Sequence, residues 1–178
     1  MTSASNDEID TSLIEAIALE LELLTEIDYR EDPRPMQREG VVALQRLITE
    51  FTRDDFTPDP ALIALLLMRL RDLQVRDFAL GCMEREVLAD HVSIWQWIVR
   101  IAPREFLAPP ATLLSAISYE LGDLSMADSA LELALEVDHE YPLALLLKRV
   151  FTAGWPAETF ATMRTELHPK ITSAIFDE

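Results

Sequence analysis

Three arginines, Arg69, Arg71 and Arg76, form the densest basic cluster in an otherwise acidic sequence. Guanidinium groups bind carboxylates and phosphates through paired donors, so such a cluster can contact an anion or an acidic peptide. A simpler interpretation pairs Arg76 with Asp72 one helical turn earlier and Arg71 with a neighbouring carboxylate on a solvated face. Asp77, beside Arg76, is a candidate cap for the local turn. We favour the simpler interpretation and keep the three arginines as candidate partner contacts.

Tryptophan is frequent in binding hot spots, and the chain contains Trp95, Trp97 and Trp155. Trp95 and Trp97 lie two residues apart and diverge by about 200° on a helix, so both cannot face the core. We expect Trp97 to lie in the core and Trp95 to be partly exposed, as a fourth candidate partner contact. Trp155, between Gly154 and Pro156, is expected to plug a helix junction.

Groupings that support catalysis or metal binding are sparse. The three histidines are far apart in the sequence, and none belongs to a His-Glu-x-x-His pair. The run Asp138-His139-Glu140 cannot share one helix face, and the aspartates between Asp54 and Asp59 lack the glycine and glutamate of a calcium loop. There is no glycine-rich phosphate loop and no nucleophile elbow. We therefore predict no catalytic residue, no metal ligand and no cofactor, and a protein that is not an enzyme.

Charge and composition narrow the class of protein further. The net charge of −17 over 178 residues disfavours nonspecific binding to nucleic acid or to an anionic membrane. Residues 1–32 hold ten acids and one base, a net charge of −9. The single cysteine, Cys82, permits no intrachain disulfide and is expected to be buried. With no secretory signal and no apolar run of ~20 residues, the sequence predicts one cytoplasmic domain over 1–178.

Hydrophobic periodicity predicts helices, beginning with an acidic amphipathic helix within residues 1–32. Asn6 or Asp7 is the expected cap of this helix, and Pro33 and Pro35 are its expected end. Five apolar residues spaced three or four apart form its stripe: Ile9, Leu13, Ile17, Leu21 and Leu24.

The same reasoning predicts about eight helices in all, with others over 36–51, 60–71, 75–86 and 92–101. Asp59 is the expected cap of the helix over 60–71, with Pro60 in its first turn. That helix is apolar almost all round, so we expect it to be the buried centre of the fold.

The C-terminal half contains the clearest local signal, a predicted helical hairpin over 110–121 and 124–137 with Gly122 as the left-handed stop. Five positions resemble the tetratricopeptide signature, in which small residues let paired helices approach closely: Leu114, Gly122, Ala127, Ala134 and Leu135. The match is partial, and no second copy follows at the period of ~34 residues. We expect an all-α fold, an irregular array of antiparallel hairpins that is tetratricopeptide-like in its C-terminal half.

A second resemblance rests on short motifs that occur in a fixed order. They are Leu73-Gln-Val-Arg-Asp77, Trp97 followed by Ala102-Pro103, Ala108-Pro109-Pro110-Ala-Thr-Leu-Leu114, Gly122-Asp123 and Tyr141-Pro-Leu-Ala144. With these motifs, residues 55–168 resemble the C-terminal half of the actinobacterial family called domain of unknown function 4192. The resemblance implies a helical core over 55–168 and a bacterial cytosolic setting, and it implies no activity. We expect the acidic helix to replace the family's usual N-terminal half.

Three functions fit these observations. The leading hypothesis is a non-enzymatic protein–protein interaction or adaptor module, whose stacked hairpins present a groove to a partner protein. In the alternative, residues 7–28 form an acidic helix that binds a basic surface on a nucleic-acid-associated protein, although a stripe so regular usually packs on its own core. The third is a small-molecule sensor or enzyme with a pocket between helices. A homodimer through the N-terminal stripe also fits.

Overall fold

The computed structural model describes residues 3–84 and 87–177, and within residues 3–10 it describes the backbone alone. Over these residues the chain forms nine α-helices, one 3-10 turn and no strand. The helices are α1 (Ser3–Glu22), α2 (Arg34–Phe51), α3 (Pro60–Arg69), α4 (Leu73–Gly81), α5 (Leu88–Ile101), α6 (Ala108–Glu120), α7 (Leu124–Val137), α8 (Pro142–Thr152) and α9 (Ala157–Phe176), with the 3-10 turn at Arg104–Phe106. The all-α prediction is confirmed, with nine helices in the described residues where about eight were expected.

Aspartate caps fix the starts of several helices. Asp59 accepts hydrogen bonds from the first backbone amides of α3, as predicted, and Asp123 caps α7. At α4 the cap is Asp72, whose Oδ1 accepts from the amides of Gln74 and Val75 at 2.8 and 3.0 Å. The candidate cap Asp77 lies within this helix, so that prediction is wrong.

The first helix packs on α3 and α5 through its apolar stripe. Ile17 and Leu21 are buried, and Leu13 and Leu24 pack partly buried against them, whereas the side chain of Ile9 lies outside the described residues. The described part of this stripe therefore packs mainly within the chain, and the homodimer considered above stays a prediction.

The predicted limits of the first helix are wrong at both ends. It begins at Ser3, ahead of the expected caps Asn6 and Asp7, and it ends at Glu22, eleven residues before Pro33. The segment over 23–33 is not helical, and two of its polar groups form hydrogen bonds with residues at the ends of α3 and α4. The Thr25 carbonyl accepts from Arg69, and the Tyr29 hydroxyl donates to Asp72.

The predicted hairpin is present as α6 and α7, which form the most extensive helix pair. Gly122 has a φ of +81°, and the Asp123 amide donates to the Ser118 carbonyl at 2.9 Å, which closes the end of α6. Small residues bring the helices together: the Ser115 hydroxyl donates to the Ala127 carbonyl at 2.7 Å. Nearly every residue of α6 is buried, so α6 shares the centre of the fold with α3.

The last two helices pack on different neighbours. α8 lies on α6 and α7, whereas α9 lies on α4, α2 and α6. The two helices are joined through Gly154, which has a φ of +62°, and they make no extensive contact with each other. They therefore diverge from their shared connection, with α4 beneath the space between them.

Candidate functional site

The three clustered arginines separate in the structure. Arg69 is only 4% exposed, and its guanidinium donates to Glu39 at 2.9 Å and to the Thr25 carbonyl at 2.6 Å. Arg71 is the exposed member, with 49% of its side chain accessible and a 2.9 Å ion pair to Glu26. The partner-contact prediction is therefore wrong for Arg69, which joins α3 to the preceding segment, and stays a prediction for Arg71.

The two neighbouring tryptophans are oriented opposite to expectation. Trp95 is 1% exposed and lies in the core, so its assignment as a partly exposed partner contact is wrong. Trp97 is partly buried and forms an aromatic cluster with Phe51 and Phe56, with ring centroids 5.3 to 5.4 Å from its own. These rings cover the end of α2 and the connector after it. Trp155 is 41% exposed, so it does not plug a helix junction as expected.

Arg76 lies where the divergence of α8 and α9 exposes a groove above α4. Its Nε and Nη2 both donate to Oδ1 of Asp77, at 2.8 and 2.6 Å, and Asp77 rather than Asp72 is therefore its partner. Nη1 is buried and has no hydrogen-bond partner. The guanidinium carbon also lies 5.9 Å from the Tyr141 ring centroid. Burial raises the pKa of Tyr141, and the neighbouring Arg76 charge opposes that rise.

The groove itself is lined mainly by apolar side chains and encloses about 120 Å³. Leu146 on α8 and Leu167 on α9 both line the groove and are each 47% exposed. The apolar lining residues from α8 and α9 are Leu143, Leu146, Phe160, Met163, Leu167 and Ile171. Arg76, Asp77 and Arg164 supply the charged part of the wall.

A buried ion pair holds α9 in position. Arg164 donates through Nε and Nη2 to the two carboxylate oxygens of Glu120, both at 2.9 Å, and both side chains are almost fully buried. Its Nη1 donates to the carbonyls at the end of α4, the shortest bond being 2.6 Å to Met83. One guanidinium therefore ties α9 to α6 and α4, and with them the walls of the groove.

The electrostatic surroundings of the groove differ from those of the remaining chain. Residues 142–176, which include α8 and α9, contain four bases and two acids, a net charge of +2. All other residues together carry −19. The bases are Lys148, Arg149, Arg164 and Lys170, and the acids are Glu158 and Glu166. The helices α8 and α9 thus belong to a segment with a basic balance, within which the buried charge of Arg164 is neutralised by Glu120.

A larger open cavity of about 500 Å³ lies on the other side of α9, at the end of α4. Cys82 lines it, but burial raises the pKa of this thiol to about 12, so it stays protonated at neutral pH. His168 lines it too, and burial lowers the pKa of this imidazole. Among the described residues, no three histidine, cysteine or acidic side chains are placed to hold a metal ion. The groups at this cavity do not form an activated nucleophile.

The groove and the Arg164 pair were missed at the sequence level. Arg164 had a usable signal, since it follows Phe160 by one turn and precedes Ile171 and Ile175 on the apolar side of α9. A charge on such a stripe indicates a buried partner. The groove had no comparable local signal, because it depends on how α8 and α9 diverge.

The class of protein defined by this geometry is an all-helical domain with an apolar groove between two helices. The chain belongs to the family described as a domain of unknown function, DUF4192, whose model matches residues 2–158. The match includes the acidic first helix, which we expected to lie outside the family-like region. No curated protein and no solved structure matches the chain. None of the described helices has the length and apolar composition needed to cross a membrane.

Proposed function

We propose that this protein is a non-enzymatic interaction module, and that the groove between α8 and α9 receives an apolar side chain from a helix of a partner protein. The groove carries the proposal. Its walls expose Leu146 and Leu167, and an exposed patch of large apolar side chains is typical of interaction sites. Its volume of about 120 Å³ is close to that of an apolar cavity of ~150 Å³ that binds benzene, and the groove is open on one side, so it can receive one leucine- or phenyl-sized side chain.

The surrounding architecture supports this function. The hairpin of α6 and α7 resembles a tetratricopeptide unit, and stacked helical hairpins commonly bind partners in the grooves between them. The protonated thiol of Cys82 and the absence of an activated nucleophile at the larger cavity favour binding over catalysis. We place the module in the cytoplasm, where an unpaired cysteine is stable.

Two neighbouring leucines on α8 provide a matched test. Leu146 lines the groove, whereas Leu145 is also exposed, at 37%, but is not among the lining residues. A protein captured by the wild-type chain from native extract is expected to be lost with Leu146→Glu and retained with Leu145→Glu, because only the first places a carboxylate among apolar groove atoms. Equal capture by both variants would show that the groove is not the binding site.

The acidic first helix supports a second candidate function, binding of a basic surface on a nucleic-acid-associated protein. Its apolar stripe is turned inward, and Glu15 and Glu22 on this helix and Glu31 in the segment after it are exposed. Deletion of residues 1–32 would remove Ile17 and Leu21 from the core, so neutralisation of the three glutamates to glutamine is the suitable perturbation. The expected result is loss of a salt-sensitive partner while the fold is kept. A partner retained by this variant at every salt concentration would exclude the acidic face as its contact.

A further inference from the structure

The charge around the groove restricts what can occupy it. Two of the three helices that form its walls, α8 and α9, belong to a segment of net charge +2, in a chain whose other residues carry −19. Of the four bases in that segment, Arg164 is buried and paired with Glu120, whereas Lys148, Arg149 and Lys170 are exposed. At physiological ionic strength, charges more than about 8 Å away are largely screened, so the local balance decides which peptide is accepted. An acidic segment is repelled by most of this surface and meets a basic balance at α8 and α9. Charge complementarity of this kind selects partners and fixes their orientation.

Arg76 provides the groove with a hydrogen-bond donor that a bound ligand could satisfy. Two of its nitrogens are engaged by one oxygen of Asp77, and the third, Nη1, is buried and makes no hydrogen bond of normal geometry, with the polar side chain of Tyr141 beside the guanidinium. A buried guanidinium N–H that lacks an acceptor is unfavourable, and a carboxylate is its strongest partner. Arg76 lines the same groove as the exposed leucines, so an apolar anchor and a carboxylate can be bound side by side.

We propose that the occupant of the groove is an acidic amphipathic segment of a partner protein, with one leucine- or phenylalanine-sized anchor between α8 and α9 and a carboxylate paired with Arg76. This inference rests on the proposed function and adds the chemistry of the partner. It explains both the net positive charge of the segment that contains α8 and α9 and the Nη1 donor of Arg76 that lacks an acceptor.

The test uses three synthetic peptides of about twelve residues that share one leucine anchor and carry glutamate, glutamine or lysine at the flanking positions. The chain has six methionines, of which Met163 lines the groove and Met126 lies on α7, so labelled methionine methyl groups give a reporter and an internal control. The glutamate peptide is expected to shift the Met163 resonance but not Met126. The glutamine peptide should bind about tenfold more weakly, and the lysine peptide more weakly still.

Two variants separate the role of Arg76 from a structural one. Arg76→Gln should remove the preference for glutamate over glutamine, and Asp77→Asn should enlarge it, because Asp77 competes for the same guanidinium. Effects of opposite sign from two neighbouring substitutions are not expected from a simple loss of stability. Circular dichroism checks that each variant is folded.

The outcomes distinguish the inference from the function on which it rests. If the glutamine or lysine peptide shifts Met163 with the same or higher affinity than the glutamate peptide, the acidic partner is wrong and the groove remains a binding site. If no peptide shifts Met163 at millimolar concentration, both proposals are overturned. An unchanged glutamate preference in Arg76→Gln would overturn the role of Arg76 alone.

Discussion

Replacement of Arg164 by methionine is the most informative test of how the last helix is held. The substitution keeps a long apolar side chain and removes the guanidinium. That group makes two 2.9 Å bonds to Glu120 and donates to the carbonyls of Met83, Leu80 and Gly81 at 2.6, 3.2 and 3.4 Å. No other side chain in the described residues is recorded as a donor to these three carbonyls at the end of α4.

The expected cost follows from burial. Glu120 has only 5% of its side chain exposed, so the variant leaves a buried carboxylate without its cation. Breaking such a pair costs about 3–5 kcal/mol, a large share of the ~5–15 kcal/mol that stabilises a typical domain. The double variant Arg164→Met with Glu120→Leu removes both charges. It should cost only about 1–3 kcal/mol, mainly for the carbonyls at the end of α4 that lose a donor.

Urea unfolding followed by circular dichroism measures these free energies, and the wild type, Arg164→Met, Glu120→Leu and the double variant form a double-mutant cycle. Arg149→Met, at an exposed position on α8, is the matched control and should change the unfolding free energy by less than about 0.5 kcal/mol. The reasoning is refuted if Arg164→Met costs less than about 1 kcal/mol. It is also refuted if the double variant is as unstable as the sum of the single variants.

Two further perturbations test the packing and the pH response. Gly40→Ala should destabilise the fold by at least about 1 kcal/mol in urea unfolding, because a Cβ there would lie 2.6 Å from Cβ of Arg69; an unchanged midpoint would contradict this close approach of α2 to α3. Burial lowers the pKa of His91 below 6.5, so its contribution to stability is complete above that pH and is lost as pH falls towards the folded-state pKa. His91→Gln should therefore reduce the difference in unfolding free energy between about pH 7.5 and about pH 5.5, and an identical difference in both proteins would show that His91 is not its source.

Elements with adjacent local signals could be predicted closely from the sequence. The second helix of the hairpin was predicted over 124–137, and α7 has those bounds because Gly122 and Asp123 fix its start. Asp59 and Pro60 similarly fixed the start of α3. In each case the residues that determine the boundary lie within one turn of it.

Features set by distant contacts could not be predicted in this way. Arg76 was paired with Asp72 on helical spacing, but both carboxylate oxygens of Asp72 are already occupied. Oδ1 accepts the first amides of α4, and Oδ2 accepts from the Tyr29 hydroxyl at 2.7 Å and from Gln37 at 3.1 Å. Those last two partners are more than thirty residues away, so no spacing rule could have shown that Arg76 must turn to Asp77.

The tryptophans and the groove illustrate the same limit. The 200° divergence correctly separated Trp95 from Trp97, but which one faces the core depends on where α6 and the aromatic pair Phe51 and Phe56 lie. The groove arises because α8 packs on the hairpin while α9 packs on α4. The sequence of neither helix shows which neighbouring helices it will pack against.

The central claim is that the groove between α8 and α9 binds a partner protein. Its most direct test is the affinity of a captured and purified partner for three chains, the wild type, Leu146→Glu and Leu145→Glu, measured by isothermal titration calorimetry. The account predicts at least a tenfold loss of affinity for Leu146→Glu and less than about a twofold change for Leu145→Glu. Equal affinities for the two variants would contradict it, and would place the binding surface elsewhere on the molecule.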